Sequence, residues 1–176
     1  MDLRCRVVRE WGSTPAERSE SWTCDEWMPD PELVLFRGID VEAPAPRVFR
    51  WLCQLRVAPY SYDLVDHLGR RSPRTLTPGL DQLSVGQTFA TMFELVAFVD
   101  AEEITLRSKH RLFGDVVMTY RVRSVDEGTS RLGVKLLVRH RRDPLGWLWR
   151  LVLPEGDLVM MRKQLHTLAG LAENAG

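Results

Sequence analysis

The sequence predicts a single α+β domain in which a curved antiparallel sheet closes around a long C-terminal helix. Three observations lead there. In the middle of the chain, Val116, Met118, Tyr120 and Val122 share one parity, and so do Leu132, Val134, Leu136 and Val138. This is the alternation of strands with one apolar face. Near the end, Leu158, Met161, Leu165, Leu168 and Ala172 recur at spacings of three and four, one stripe along a helix. The order strand, helices, hairpins, helix leaves the last helix nothing to cover except the apolar face of the sheet.

Residues 1–31 are polar and turn-rich but carry Trp11, Trp22 and Trp27. They read as an arm that packs through those rings on a domain spanning 32–176. The segment LVLFRGIDVE at 33–42 is a strand with Leu35, Ile39 and Val41 on one side. Pro44 and Pro46 stop it, and Val48, Trp51, Leu52 and Leu55 then fall at helical spacing. Pro59 ends or kinks that helix, and a second short helix runs over 60–68 until Gly69. Residues 70–85 read as a loop with one turn of helix, and 86–100 as two short strands or one bent strand.

Three further strands, 104–111, 116–124 and 132–140, are separated by turns at LFGD and at Asp126-Glu127-Gly128. Their other face carries Arg, Lys and Thr, which predicts a sheet covered on one side only. Glu94, Arg107, Lys109 and Arg121 are placed on its solvent side. Residues 145–153 are compatible with helix, and Pro154 is expected to kink that piece or separate it from the stripe.

The 176 residues fit one domain, and the apolar share of 44% with 27% charged residues is ordinary for a globular chain. Lys and Arg equal Asp and Glu at 24 each, which argues against nucleic acid as a partner. The cluster Arg139, Arg141, Arg142 reads as a solvated strand end. Cys5, Cys24 and Cys53 are odd in number and far apart, with no zinc-type spacing. They suggest a reducing cytoplasm, with Cys53 as a buried free thiol. The first residues lack the basic and apolar regions of a signal peptide, so none is expected. No apolar run approaches the length of a membrane span; the most lipid-like stretch, 145–153, is short and contains Arg150. There is no Ser/His/Asp set, HExxH, Walker loop or GxGxxG, and neither a metal nor a cofactor is expected.

The element order, together with VEAPAPRVFRWL at 41–52, resembles the START-like (SRPBCC) helix-grip superfamily. That superfamily includes polyketide cyclases and aromatases, lipid-transfer domains and plant pathogenesis-related allergens. YSYDLVDHLGRRSPRTLTPGLDQLSVGQ at 60–87 is similar to a bacterial polyketide-cyclase-like subgroup, as are REWGSTPAER near the start and GDLVMMRKQL near the end. The resemblance implies a helix-grip fold with a cavity between sheet and C-terminal helix. It implies a small hydrophobic partner, lipid- or polyketide-like, and no particular reaction.

The candidate lining of that cavity is Val116, Met118, Tyr120, Leu136 and Val138 on the sheet, with Met161 opposite on the helix. A buried Tyr120 hydroxyl needs a partner: a water, a ligand or a helix residue. His110 and His140 have inward parity at the ends of their strands, which places them at one end of the sheet about 10 Å apart. There they would flank the cavity mouth, as a proton-shuttling pair or as half-exposed strand ends. Tyr60, Tyr62 and Asp63 share a short segment with Asp66 and His67. They would either orient a ligand's polar end or anchor the LGRRS loop through Arg70 or Arg71. Three functions follow: a binding protein for an apolar small molecule, a cyclase or dehydratase, or an interaction module whose cavity is collapsed. In the last case the arm or the Trp147/Trp149 segment supplies the working surface.

Overall fold

The computed structural model describes residues 3–60, 72–110 and 114–175. Strands β1 (Leu33–Val41), β2 (Thr88–Phe89), β3 (Phe93–Val99), β4 (Glu103–Ser108), β5 (Asp115–Ser124) and β6 (Ser130–Arg139) form one antiparallel sheet in the order β1-β6-β5-β4-β3-β2. The segment 86–100 is thus two strands, and a bulge between Leu95 and Ala97 bends the second. Before β1 come three short helices, α1 (Leu3–Glu10), α2 (Pro15–Ser19) and α3 (Thr23–Trp27). After it comes α4 (Ala45–Cys53), and the chain ends in α5 (Pro144–Glu173).

The register lays the concave face out in rows. Leu33, Val138 and Val116 form one row; Leu35, Leu136, Met118 and Leu106 the next; Arg37, Val134, Tyr120 and Ile104 a third. Helices α4 and α5 cover these rows, and the resulting core includes Val48, Trp51 and Leu52 from α4 and Met161, Leu165 and Leu168 from α5. Leu165 and Leu168 are buried as the apolar stripe predicts, whereas Leu158 is only half-buried. Asp143 starts α5 by accepting the Gly146 N–H at 2.8 Å, with Pro144 in the first turn. The helix runs on through Pro154 as one element, so of the two outcomes expected there, a kink or a separation, the separation does not occur. Residues 72–85 contain turns but no helix, also unlike the expectation.

The larger correction concerns the opposite face. It is not left to solvent. Trp22, Cys24 and Met28 of the arm form a second core with Phe36, Val117 and Leu137. Gly133 makes this approach possible, because a Cβ there would stand 2.9 Å from the Trp22 ring. The Trp22 indole N–H donates to the Glu17 carbonyl at 2.8 Å, and the Arg121 guanidinium lies 4.2 Å over the ring. The Cys24 N–H donates to Thr119 Oγ1 at 2.9 Å. Charged groups around the ring of contact are paired. Arg121 meets Glu103 and Glu20, Arg131 meets Glu17 at 2.7 Å, and Lys135 meets Asp25 at 2.6 Å. Arg121, expected in solvent, has a side chain only 11% exposed. Helix α2 is set by a reciprocal cap between Thr14 and Glu17. Trp27 remains 40% exposed.

Helix α1 reaches the edge of the sheet beside α5. The Gly38 N–H of β1 donates to the Trp11 carbonyl at 3.1 Å. The Trp11 ring meets His166 edge-on at 5.7 Å, with the Arg162 guanidinium 5.5 Å away. The left-handed turn at Gly12, with φ +69°, sends the chain from this edge to the outer face.

Candidate functional site

Beneath α5 the third row of the concave face carries a charge among apolar neighbours. Arg37 stands in the inward parity of β1, between Leu35 and Ile39, and is 1% exposed. Its Nη2 meets Asp157 Oδ2 of α5 at 2.7 Å, and its Nη1 donates to the carbonyls of Phe36 and Arg9. Burial pushes the Asp157 carboxyl above the usual range, and the Arg37 charge opposes that shift. Two strands away in the same row, about 10 Å by strand spacing, lies Tyr120. Its hydroxyl donates to Gln164 Oε1 at 2.7 Å and approaches Met161 Sδ at 3.7 Å. The Gln164 amide in turn donates to the Pro59 carbonyl at 2.6 Å. The partner expected for Tyr120 is therefore a helix residue. Burial raises the Tyr120 pKa far above that of free tyrosine, so the hydroxyl stays protonated.

Asp157, Met161, Gln164 and Leu168 follow at helical spacing and form the inward face of α5. Sequence reasoning missed Arg37, Asp157 and Gln164. The available signal was Arg37 itself, a charge standing at an inward position of a strand otherwise apolar on that side.

Two N–H groups of this interior have no hydrogen-bond partner among the described residues: Arg37 Nε and the Trp51 indole Nε1. Trp51 is 2% exposed and packs edge-on against Tyr60 at 6.3 Å. Tyr60 is itself buried, with φ +54°. Tyr62 and Asp63, with Asp66 and His67, lie outside the described residues.

Val116, Met118, Leu136 and Val138 are all buried in the main core, and Met161 is 7% exposed. The two histidines differ. His110 lies beyond the end of β4 and is exposed, so it does not share the inward face. His140 is 8% exposed and its Nδ1 has no partner among the described residues. Burial lowers its pKa, with Glu32 opposing and Arg150 assisting. The unfolded chain therefore takes up the His140 proton first, and stability falls as pH drops through the ordinary histidine range. Urea midpoints at about pH 7.5 and about pH 5.5 should differ more for the wild type than for His140→Gln. Equal differences would contradict this placement of His140.

Cys53 is buried and its thiol is pushed up to about 12 by burial, so it is unreactive. Among the described residues no cluster of His, Cys, Asp and Glu could hold a metal. A cleft of about 140 Å³ lies between Gln54 and the loop at Thr77, Pro78 and Gly79. That is smaller than the few hundred Å³ usual for ligand pockets, about 300 Å³ and upward.

No protein-family model matches the chain, and no curated protein matches it in sequence. Solved structures do match in fold. A Thermobifida fusca protein solved by NMR has a TM-score of 0.55 at 15% identity, covering 79% of this chain and 92% of its own. The ZhuI aromatase/cyclase from a Streptomyces species has a TM-score of 0.52 at 15% identity, covering 80% and 93%. A START superfamily protein from Mycobacterium smegmatis has a TM-score of 0.51 at 14% identity, covering 81% and 99%. The chain thus has the START-like helix-grip fold, with a six-stranded antiparallel sheet against a long C-terminal helix.

Proposed function

We propose that this START-like chain binds a small hydrophobic molecule carrying an oxygen function, held between the concave face and α5. Its apolar part would lie along Val116, Met118, Leu136, Val138 and Met161, and its oxygen would turn to the row of Arg37 and Tyr120. The observation that carries this reading is that row, buried polar groups in an apolar interior; among the described residues the Arg37 Nε hydrogen there and the Trp51 Nε1 hydrogen of α4 are unmet. A buried donor without an acceptor is unfavourable by about 1–3 kcal/mol, and a ligand oxygen removes that penalty. A ligand without oxygen leaves it in place.

A cyclase, as in the aromatase/cyclase of similar fold, is the second reading. It needs an acid and a base at one reacting centre. His140 lies six residues beyond Val134, one past the end of β6, about 20 Å from the Tyr120 row by strand rise. Asp157 is engaged with Arg37. The binding reading needs no such convergence and is preferred.

The test is calorimetric titration with a medium-chain alcohol and the alkane of equal length. The alcohol should bind the wild type more tightly. Tyr120→Phe should weaken the alcohol by about 1 kcal/mol and leave the alkane unchanged. Equal losses for both probes, or no binding of either to the wild type, would contradict the reading.

A further inference from the structure

We propose that the two ends of the polar row read two different oxygen functions of the ligand, an uncharged carbonyl at Arg37 and a hydroxyl at Tyr120. This rests on the binding reading above and names the class of molecule it takes: a hydroxy-ketone or hydroxy-ester with the two oxygens set apart on an apolar body. The Tyr120 end is fixed by the direction of its hydrogen bonds. The Pro59 carbonyl can only accept, so the Gln164 group 2.6 Å from it is the amide nitrogen. That turns Gln164 Oε1 to Tyr120, and the tyrosine hydroxyl places its one hydrogen there, at 2.7 Å. Tyr120 keeps lone-pair capacity but has no hydrogen left to donate. A ligand oxygen that bonds Tyr120 must therefore bring its own hydrogen, as a hydroxyl does and a ketone or ester does not.

The Arg37 end has the opposite requirement. Its Nη2 donates to Asp157, and its Nη1 to the Phe36 and Arg9 carbonyls. The Nε–H, on a side chain 1% exposed, has no acceptor among the described residues. This end calls for an acceptor. A carbonyl oxygen supplies one and adds no hydrogen, whereas a hydroxyl brings a hydrogen that then needs an acceptor of its own. A ligand carboxylate is disfavoured: Asp157 already balances the guanidinium, and a second anion would be buried against the same cation. Between the two ends the row carries Val134, an apolar core residue. A donor and an acceptor on either side of an apolar stretch, two strands or about 10 Å apart, match one molecule carrying both functions. The other unmet hydrogen, on Trp51, belongs to α4 and lies outside the row.

The test is calorimetric titration of the full chain with decane, decanol, decanone and decanoate, joined to infrared spectra of bound decanone. The wild type should bind decanol and decanone each about fivefold or more tighter than decane, and decanoate more weakly than decanone. The decanone C=O stretch should lie below its frequency in liquid decane, the mark of a hydrogen bond to the guanidinium. Arg37→Lys keeps a cation for Asp157 and has no Nε–H. It should lower decanone binding about tenfold, return the stretch toward its decane value and leave decanol binding unchanged. Tyr120→Phe should do the converse, lowering decanol binding about fivefold with decanone unchanged. If Arg37→Lys does not fold, the stretch in the wild type and in Trp51→Phe decides. A stretch at the decane value in the wild type overturns the proposal, as does a shift abolished by Trp51→Phe, which gives the carbonyl to α4. Decanol weakened by Tyr120→Phe while decanone is indifferent to Arg37→Lys also overturns it and leaves the binding reading standing. No binding of any probe removes both.

Discussion

Arg37→Met should lower the stability of the fold by about 3–5 kcal/mol, because it leaves the Asp157 carboxylate buried beneath α5 without its cation. The denaturation midpoint should fall with an unchanged slope. The double variant Arg37→Met, Asp157→Leu should recover most of that loss. An apolar pair of similar volume needs no desolvation of charge, and the neighbours in both directions are core residues. The contrast between single and double variants is the informative part. It separates an ion pair whose removal exposes a penalty from one that drives folding. A single variant that changes stability by less than about 1 kcal/mol would mean that Arg37 and Asp157 are solvated, as exposed pairs are. That result would also remove the polar row from the proposed site.

Trp22→Ala is expected to have an effect of similar size, about 3–5 kcal/mol, the range for removing a large aromatic side chain from a core. Trp22 is 3% exposed, lies on Gly133, and is held by its own N–H and by Arg121. Trp27→Ala, at a residue 40% exposed in the same arm, should cost about 0.5 kcal/mol or less. Hydrogen exchange should show the Cys24 N–H protected through its bond to Thr119, and Trp22→Ala should remove that protection first. Equal and small effects at Trp22 and Trp27 would mean that the arm folds independently of the sheet.

The sheet and the last helix were legible because their signals are long. Ten-residue strands with strict alternation, and a stripe of five apolar residues on α5, have few other readings. The second core was not legible. Helices α2 and α3 have five residues each, too short for a helical period, and their apolar contribution is essentially Trp22, Cys24 and Met28. The polar face of the sheet looked solvated for the same reason. Thr119 and Lys135 are polar by composition and buried in fact, because the arm brings Cys24 and Asp25 to them, and buried Thr105 shares a hydrogen bond with Thr119. At the site, parity placed Tyr120, Leu136 and Val138 correctly on the inward face, and failed for His110 because β4 ends at Ser108. The Arg37–Asp157 contact joins residues 120 apart in sequence, and no local pattern encodes it. The continuity of α5 through Pro154 reflects tertiary packing outweighing a local breaker.

The central claim is that the space between the concave face and α5 takes up a small oxygen-bearing hydrophobic molecule. Native mass spectrometry of the full chain, purified from its own host without detergent, tests it most directly. The account predicts a population heavier than the bare chain by one discrete small molecule, released on denaturation and soluble in organic solvent, and depleted when Tyr120→Phe is purified in the same way. A wild-type protein that carries nothing and takes up neither the alcohol nor the alkane when they are supplied would contradict it.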